Sequence, residues 1–180
     1  EKMDKQFLIE NRKKLMAYVP EGSIVLLFSG SAPHRSADSS YYFSINRNFY
    51  YITGIERENV IFFCSKLNGK TDLALYIDKP DSLKEAWLGK MLDIDEAAAS
   101  GIENIKYKES FEKALNTMLM ENDNCSVYLD IESSQWNQPL SIEQKFAKEL
   151  RRKFPHIAIK SIYNQICEQR VIKAPEEIEN

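Results

Sequence analysis

Two carboxylates, Asp78 and Asp130, each stand at the end of an apolar run: Leu73-Ala74-Leu75-Tyr76-Ile77 before the first, Val127-Tyr128-Leu129 before the second. The carboxyl ends of buried strands are where open α/β sheets place their sites. Two or three such groups held together could bind Mg2+ for nuclease-type hydrolysis. Aspartate also suits an ordinary turn, because its side chain accepts backbone hydrogen bonds two residues on. Asp78-Lys79-Pro80-Asp81 has turn composition, so the turn is the simpler account.

Other chemistries lack their signatures. No GxSxG nucleophile elbow occurs, and neither GxxxxGK nor GxGxxG is present to cradle a phosphate. Metal-site spacings such as HxxxH or DxDxDG are absent as well. The two histidines, His34 and His156, match no nucleophile; one lies in a polar loop, the other just past a predicted helix, where a cation suits the dipole. Both read as structural or solvated.

Two segments stand out. The loop His34-Arg35-Ser36-Ala37-Asp38-Ser39-Ser40-Tyr41-Tyr42 concentrates polar groups after a buried strand. It reads either as a solvated loop in which Arg35 pairs with Asp38, the plainer account, or as a rim that touches a ligand or another subunit. Trp87, in Glu85-Ala86-Trp87-Leu88-Gly89, is by composition a core anchor first and an interface residue second. The aromatic runs Tyr41-Tyr42-Phe43 and Phe49-Tyr50-Tyr51 lack a basic stripe beside them, so they read as packing rather than as base-stacking platforms.

The elements that must position these residues follow from periodicity. Asp4 to Val19 predicts an amphipathic helix, with Leu8, Leu15 and Val19 inward and Asn11, Arg12 and Lys13 between them. Ile24-Val25-Leu26-Leu27-Phe28 and Val60-Ile61-Phe62-Phe63-Cys64 predict strands buried on both faces. Asn68-Gly69 is a hairpin signal, with Leu73 to Ile77 as the returning strand, so the middle of the sheet is a meander. Phe49-Tyr50-Tyr51-Ile52 predicts a short aromatic strand stopped by Gly54. Ser82 with Glu85 predicts a capping box that opens a helix through Trp87. Further helices are expected over 95–100, from a Ser110 cap through Leu119, from Pro139 to Phe154, and over 164–170. Strands are expected at 127–131 and 157–159. The class is α/β: a mixed, roughly six-stranded sheet with helices on both faces.

Composition bounds the rest. The chain has 180 residues, 24 Lys plus Arg, 27 Asp plus Glu and a formal net charge of -3. A core of ordinary size is available at this length. No basic excess points to nucleic acid, no apolar run is long enough for a membrane span, and no secretory leader opens the chain. Cys64, Cys125 and Cys167 are odd in number and far apart, which predicts free thiols and a cytoplasmic location. The chain does not begin with Met, and Pro175-Glu176-Glu177 opens a helix with barely a turn before Asn180. The expectation is a piece of a longer protein, with a domain over 1–173 and the start of a connection over 174–180.

Several motifs occur in a fixed order: Pro20-Glu21-Gly22-Ser23, Arg35-Ser36-Ala37-Asp38-Ser39, Asn48-Phe49-Tyr50-Tyr51-Ile52-Thr53-Gly54, Glu85-Ala86-Trp87-Leu88-Gly89-Lys90, and Arg170-Val171-Ile172-Lys173-Ala174-Pro175-Glu176-Glu177-Ile178. In combination they resemble the N-terminal domain of the Xaa-Pro aminopeptidases (aminopeptidase P), in the creatinase/prolidase family. The family often has Ser where this chain has Ala174, which forgoes a helix cap worth about 1 kcal/mol.

The resemblance implies a ribonuclease H-like, creatinase-type fold. It also implies a C-terminal pita-bread domain, outside this chain, in which two Asp, one His and two Glu hold two divalent metals, commonly Mn2+. Metal-bound water there cleaves the bond before a proline. By itself this domain would be inactive, serving homo-oligomerisation as a dimer or tetramer and shaping the active-site mouth for proline-containing peptides. Matching the motifs puts Trp87 as an apolar wall and Asp38 as a polar gate at a neighbouring subunit's site, with Arg35 beside Asp38. A prolidase N-domain, or that of a metal-free relative acting as a protein-binding module, would carry a similar pattern.

Overall fold

A computed structural model describes residues 3–31 and 45–171. The loop holding His34, Arg35 and Asp38, and the boundary at 173–174, lie outside the described residues. In chain order the elements are α1 (Lys5–Tyr18), β1 (Ser23–Phe28), α2 (Arg47–Thr53), β2 (Ile61–Leu67), β3 (Lys70–Ile77), α3 (Ser82–Leu88), α4 (Ile94–Ala98), β4 (Ile105–Tyr107), α5 (Phe111–Glu121), β5 (Ser126–Leu129), α6 (Ile142–Lys153), β6 (Ala158–Ser161) and α7 (Tyr163–Val171). A single 3-10 turn, Lys108–Ser110, leads into α5.

The strands form one six-stranded sheet in the order β4-β3-β2-β1-β5-β6. β1, β2 and β3 make the expected antiparallel meander. β5 runs parallel to β1, β6 to β5, and β4 to β3. Asn68 and Gly69 both take positive φ, 54° and 73°, the pattern of a two-residue hairpin that matches strand twist. Every strand except β2 therefore ends at the same edge of the sheet.

Alternation sorts the core into two layers. Val25 and Leu27 of β1 face Leu15, Phe49, Ile52 and Ile166, from α1, α2 and α7. Ile24 and Leu26 face Leu115 and Leu119 of α5 and Leu150 of α6. Both faces of the sheet are covered, as the unbroken apolar strands require.

The segment Phe49-Tyr50-Tyr51-Ile52 is helical, not a strand. Asn46 caps it, its side chain accepting from the Phe49 N–H at 3.0 Å. Gly54 closes it in the left-handed region with φ 69°. Aromatic strand propensity lost to two caps with seven residues between them and to a burial pattern that, within Phe49–Ile52, leaves Tyr50 alone half-exposed. At Gly54 an added Cβ would lie 2.7 Å from Leu8 Cδ1. Gly54→Ala is expected to cost roughly 1–3 kcal/mol, and a thermal melt should fall by about 2–4 °C for each kcal/mol.

Two caps also differ from expectation. Asp81, not Ser82, caps α3, with Oδ1 accepting from the Leu83 N–H at 3.0 Å. Ser110 makes no side-chain cap to α5; its hydroxyl donates instead to the Tyr107 carbonyl at 2.8 Å. The reciprocal capping box belongs to Ser141 and Gln144, which start α6 three residues after Pro139. β4 was not visible as a strand because it is three residues long.

Candidate functional site at the carboxyl edge of the sheet

The edge where β1, β3 and β5 end carries two features. One is a buried polar bridge beyond β5. Asp130, the residue after that strand, is buried, and its Oδ1 accepts from Asn48 Nδ2 at 2.9 Å. Asn48 lies in the first turn of α2, and its Oδ1 in turn accepts from Arg170 Nη1 at 2.8 Å. One amide thus links β5, α2 and the last turn of α7. Cys167 Sγ lies 3.8 Å from the same amide, and the Tyr163 phenol donates to Glu132 Oε1 at 3.0 Å.

The electrostatics follow from burial. Desolvation pushes the Asp130 carboxyl above the usual carboxylate range, opposed by the hydrogen bonds from Asn48 and Asn46 and by the Arg170 charge, and aided by Glu132. Buried Glu143 is raised as well, first by desolvation and further by the Asp130 charge. Hydrogen bonds with Cys167 and Glu132 push the Tyr163 phenol up to about 12. This arrangement can hold a proton and lock three elements together. It presents no activated nucleophile.

The second feature is α3. Trp87 is 88% exposed and Leu83 73%. Four residues apart, they share one face of the helix. Trp87 is therefore not a core anchor. Trp136, in the turn region before α6, is likewise fully exposed.

Asp78 and Asp130 are not brought together. β2 and β1 lie between their strands, so three strand spacings separate them by about 14 Å. His156 sits on the turn between α6 and β6 with its ring against Phe154, away from both features. Among the described residues no three His, Cys, Asp or Glu side chains stand together to hold a metal. None of their helices is long and apolar enough to cross a membrane. All three cysteines are free.

Two residues of the bridge, and the buried carboxyl Glu143 that feels the Asp130 charge, escaped sequence reasoning. Asn48 and Arg170 belong to the quoted motifs, which was the only signal they gave; Glu143 gave none.

Residues 8–128, more than half of the chain, match the family model for the aminopeptidase P N-terminal domain. A Haemophilus influenzae Xaa-Pro aminopeptidase is 26% identical over 98% of this chain and 39% of its own length. A solved structure of a candidate aminopeptidase P from Bacillus anthracis superposes with TM-score 0.91 at 42% identity, covering 98% of this chain and 42% of that one. Zinc-substituted Escherichia coli aminopeptidase P in complex with product, a metal-bearing relative, shares the fold at TM-score 0.73 and 22% identity, over 99% of this chain and 41% of that one. This chain thus spans about two fifths of the length of these relatives.

Proposed function

Because this chain belongs to the aminopeptidase P N-terminal domain family, we propose that it is the non-catalytic N-terminal domain of a longer cytoplasmic aminopeptidase that removes the first residue of a peptide when proline follows. Residues 1–173 form the domain, and 174–180 begin the connection to the catalytic part. Two divalent metals in that part, Mn2+ by the family resemblance, supply the activated water. This domain's residues supply assembly into a homo-oligomer and a wall at the mouth of a neighbouring subunit's site. Trp87 is the apolar wall. Asp38 is a polar gate, with Arg35 in the same loop.

One observation supports this most strongly: Trp87 and Leu83 share an exposed face of α3 although the domain already has two complete core layers. An exposed apolar pair led by tryptophan is the composition of an interface centre rather than of free surface. A free ammonium end, a proline ring and apolar side chains are groups of such a peptide that an indole face can pack against.

The test is release of the first amino acid from an Xaa-Pro-Yaa tripeptide by the full-length protein with Mn2+. Trp87→Ala should raise KM roughly tenfold, the loss of one well-packed interface aromatic. An unchanged KM and kcat would remove Trp87 from the site. Cleavage of Xaa-Pro dipeptides alone would assign a prolidase. Silence on both substrates, in a protein that binds no metal, would assign a binding module.

A further inference from the structure

The proposed wall needs a defined pose, yet none of the described side chains of α3 is buried: Ser82, Leu83, Lys84, Ala86 and Trp87 are exposed and Glu85 is half-buried. Core packing through these described side chains therefore does not orient the helix. Beneath it, a cavity of about 500 Å³ lies between Arg57–Val60, Asp78, Lys84 and the turn Gly89–Leu92, so the helix is not wedged against the body either. The described hydrogen bonds that hold it are at its two ends.

At the entry, Asp81 holds the first turn through its side chain and through its carbonyl, which accepts from the Glu85 N–H at 2.9 Å. At the exit, one residue holds two points. The Glu85 carbonyl accepts from the Gly89 N–H at 3.0 Å, and Glu85 Oε1 accepts from the Met91 N–H at 3.1 Å. Met91 adjoins Leu92, which is in the core. Between these two bonds Gly89 turns the chain at φ 90°, ψ -179°, a region open essentially to glycine alone. A Cβ at Gly89 would meet nothing within 4 Å, so the requirement for glycine is one of backbone conformation and not of space.

We propose that Glu85 and Gly89 are positioning residues for Trp87: the Glu85–Met91 latch and the Gly89 turn aim the indole at its ligand. This inference rests on the reading of Trp87 as a substrate wall. Substitution at either position should leave the core intact and re-aim the helix.

The experiment uses the full-length protein and the tripeptide assay with five variants: Trp87→Ala, Glu85→Ala, Glu85→Gln, Gly89→Ala and the double variant Trp87→Ala/Glu85→Ala. Glu85→Ala and Gly89→Ala are expected to raise KM by about the factor that Trp87→Ala does, roughly tenfold, with kcat changed less. Glu85→Gln keeps an acceptor and should recover most of the loss. The double variant should be no worse than Trp87→Ala, because a latch with nothing to aim has no effect. Melting temperatures should stay at the parent value in the Glu85 and Trp87 variants and fall by a few degrees in Gly89→Ala, whose backbone region alanine enters only with strain. If Gly89→Ala fails to accumulate, the comparison of Glu85→Ala with Glu85→Gln decides alone. Full additivity in the double variant, or no KM change in Glu85→Ala while Trp87→Ala has one, overturns the inference. No change in Trp87→Ala overturns the underlying reading instead.

Discussion

Replacing Arg12 by Met should cost the domain about 3 kcal/mol or more, among the largest single-residue losses available outside the apolar core. Arg12 is 3% exposed. Its Nη1 donates to the Ile52 carbonyl and its Nη2 to the Ser100 carbonyl, each at 2.9 Å. The acceptors lie at the carboxyl ends of two helices, one in the last turn of α2 and one two residues past α4, where carbonyls lack partners along the helix. The negative end of each dipole faces the guanidinium. Burial lowers the Arg12 guanidinium to about 10, so it still carries its charge at neutral pH. Neighbouring Asn11, 1% exposed, donates to the Tyr51 carbonyl at 2.9 Å. One turn of α1 thereby terminates two helices. Met fills the volume but strands two buried carbonyls, and each hydrogen bond to a charged group contributes about 1.5–3 kcal/mol. Urea unfolding measures the loss. Arg12→Lys should recover only part of it, since one ammonium does not reproduce the planar fork that reaches two acceptors. A loss under about 0.5 kcal/mol for Arg12→Met would mean water replaces the guanidinium at both carbonyls.

The second large effect is pH-dependent and centres on Asn48. Asn48→Leu removes the amide that bridges buried Asp130 and Arg170 and should cost about 2–4 kcal/mol at pH 8, the range for breaking a buried charged network on one side. The sign of the pH dependence follows from the direction of the shift. Asp130 is raised in the folded chain, above its unfolded value of about 3.9. The folded state therefore binds the proton more tightly, and stability falls as pH rises from that value through the raised one. Glu143 acts in the same direction. Asn48 opposes the shift by stabilising the carboxylate, so its removal steepens the fall. The loss in Asn48→Leu should accordingly be smaller at pH 4 than at pH 8. Asp130→Asn keeps an acceptor for Asn48, discards the buried charge and relieves Glu143; its stability profile over the same range should be flatter than the parent's. Unfolding curves at both pH values check this. Equal losses for Asn48→Leu at pH 4 and pH 8 would show that Asp130 stays in one protonation state across the range.

Such an arrangement has a consequence for architecture. Arg170 belongs to α7, the last described helix, and Asn48 opens α2. The bridge therefore ties the point where the described chain leaves the domain to the carboxyl edge of the sheet. A variant that loosens it should loosen both together.

Much of this protein was legible in its residues. Unbroken apolar runs such as Ile24–Phe28 can only be strands covered on both sides, and Asn68-Gly69 fixes the hairpin and hence the meander. The order of short motifs carried the family. Periodicity misread Phe49–Ile52, because aromatic propensity is a weak preference that caps at Asn46 and Gly54 override; those caps were visible in the sequence and were the better signal.

Burial of polar groups was a different matter. Asn11 and Arg12 look like the wet face of an amphipathic helix, and only the ends of α2 and α4, distant in the chain, turn them inward. Asp130, Asn48 and Arg170 are separated by 82 and 122 positions, and no local pattern links them. Trp87 was the reverse: its type suggested core, while the structure leaves it in solvent on a helix whose described side chains are none of them buried. Apolar periodicity records what a segment needs from its own neighbours along the chain. Which polar group is desolvated, and which aromatic is left out, depends on what other elements bring to the same place, and that is decided only when the sheet closes and its edges meet.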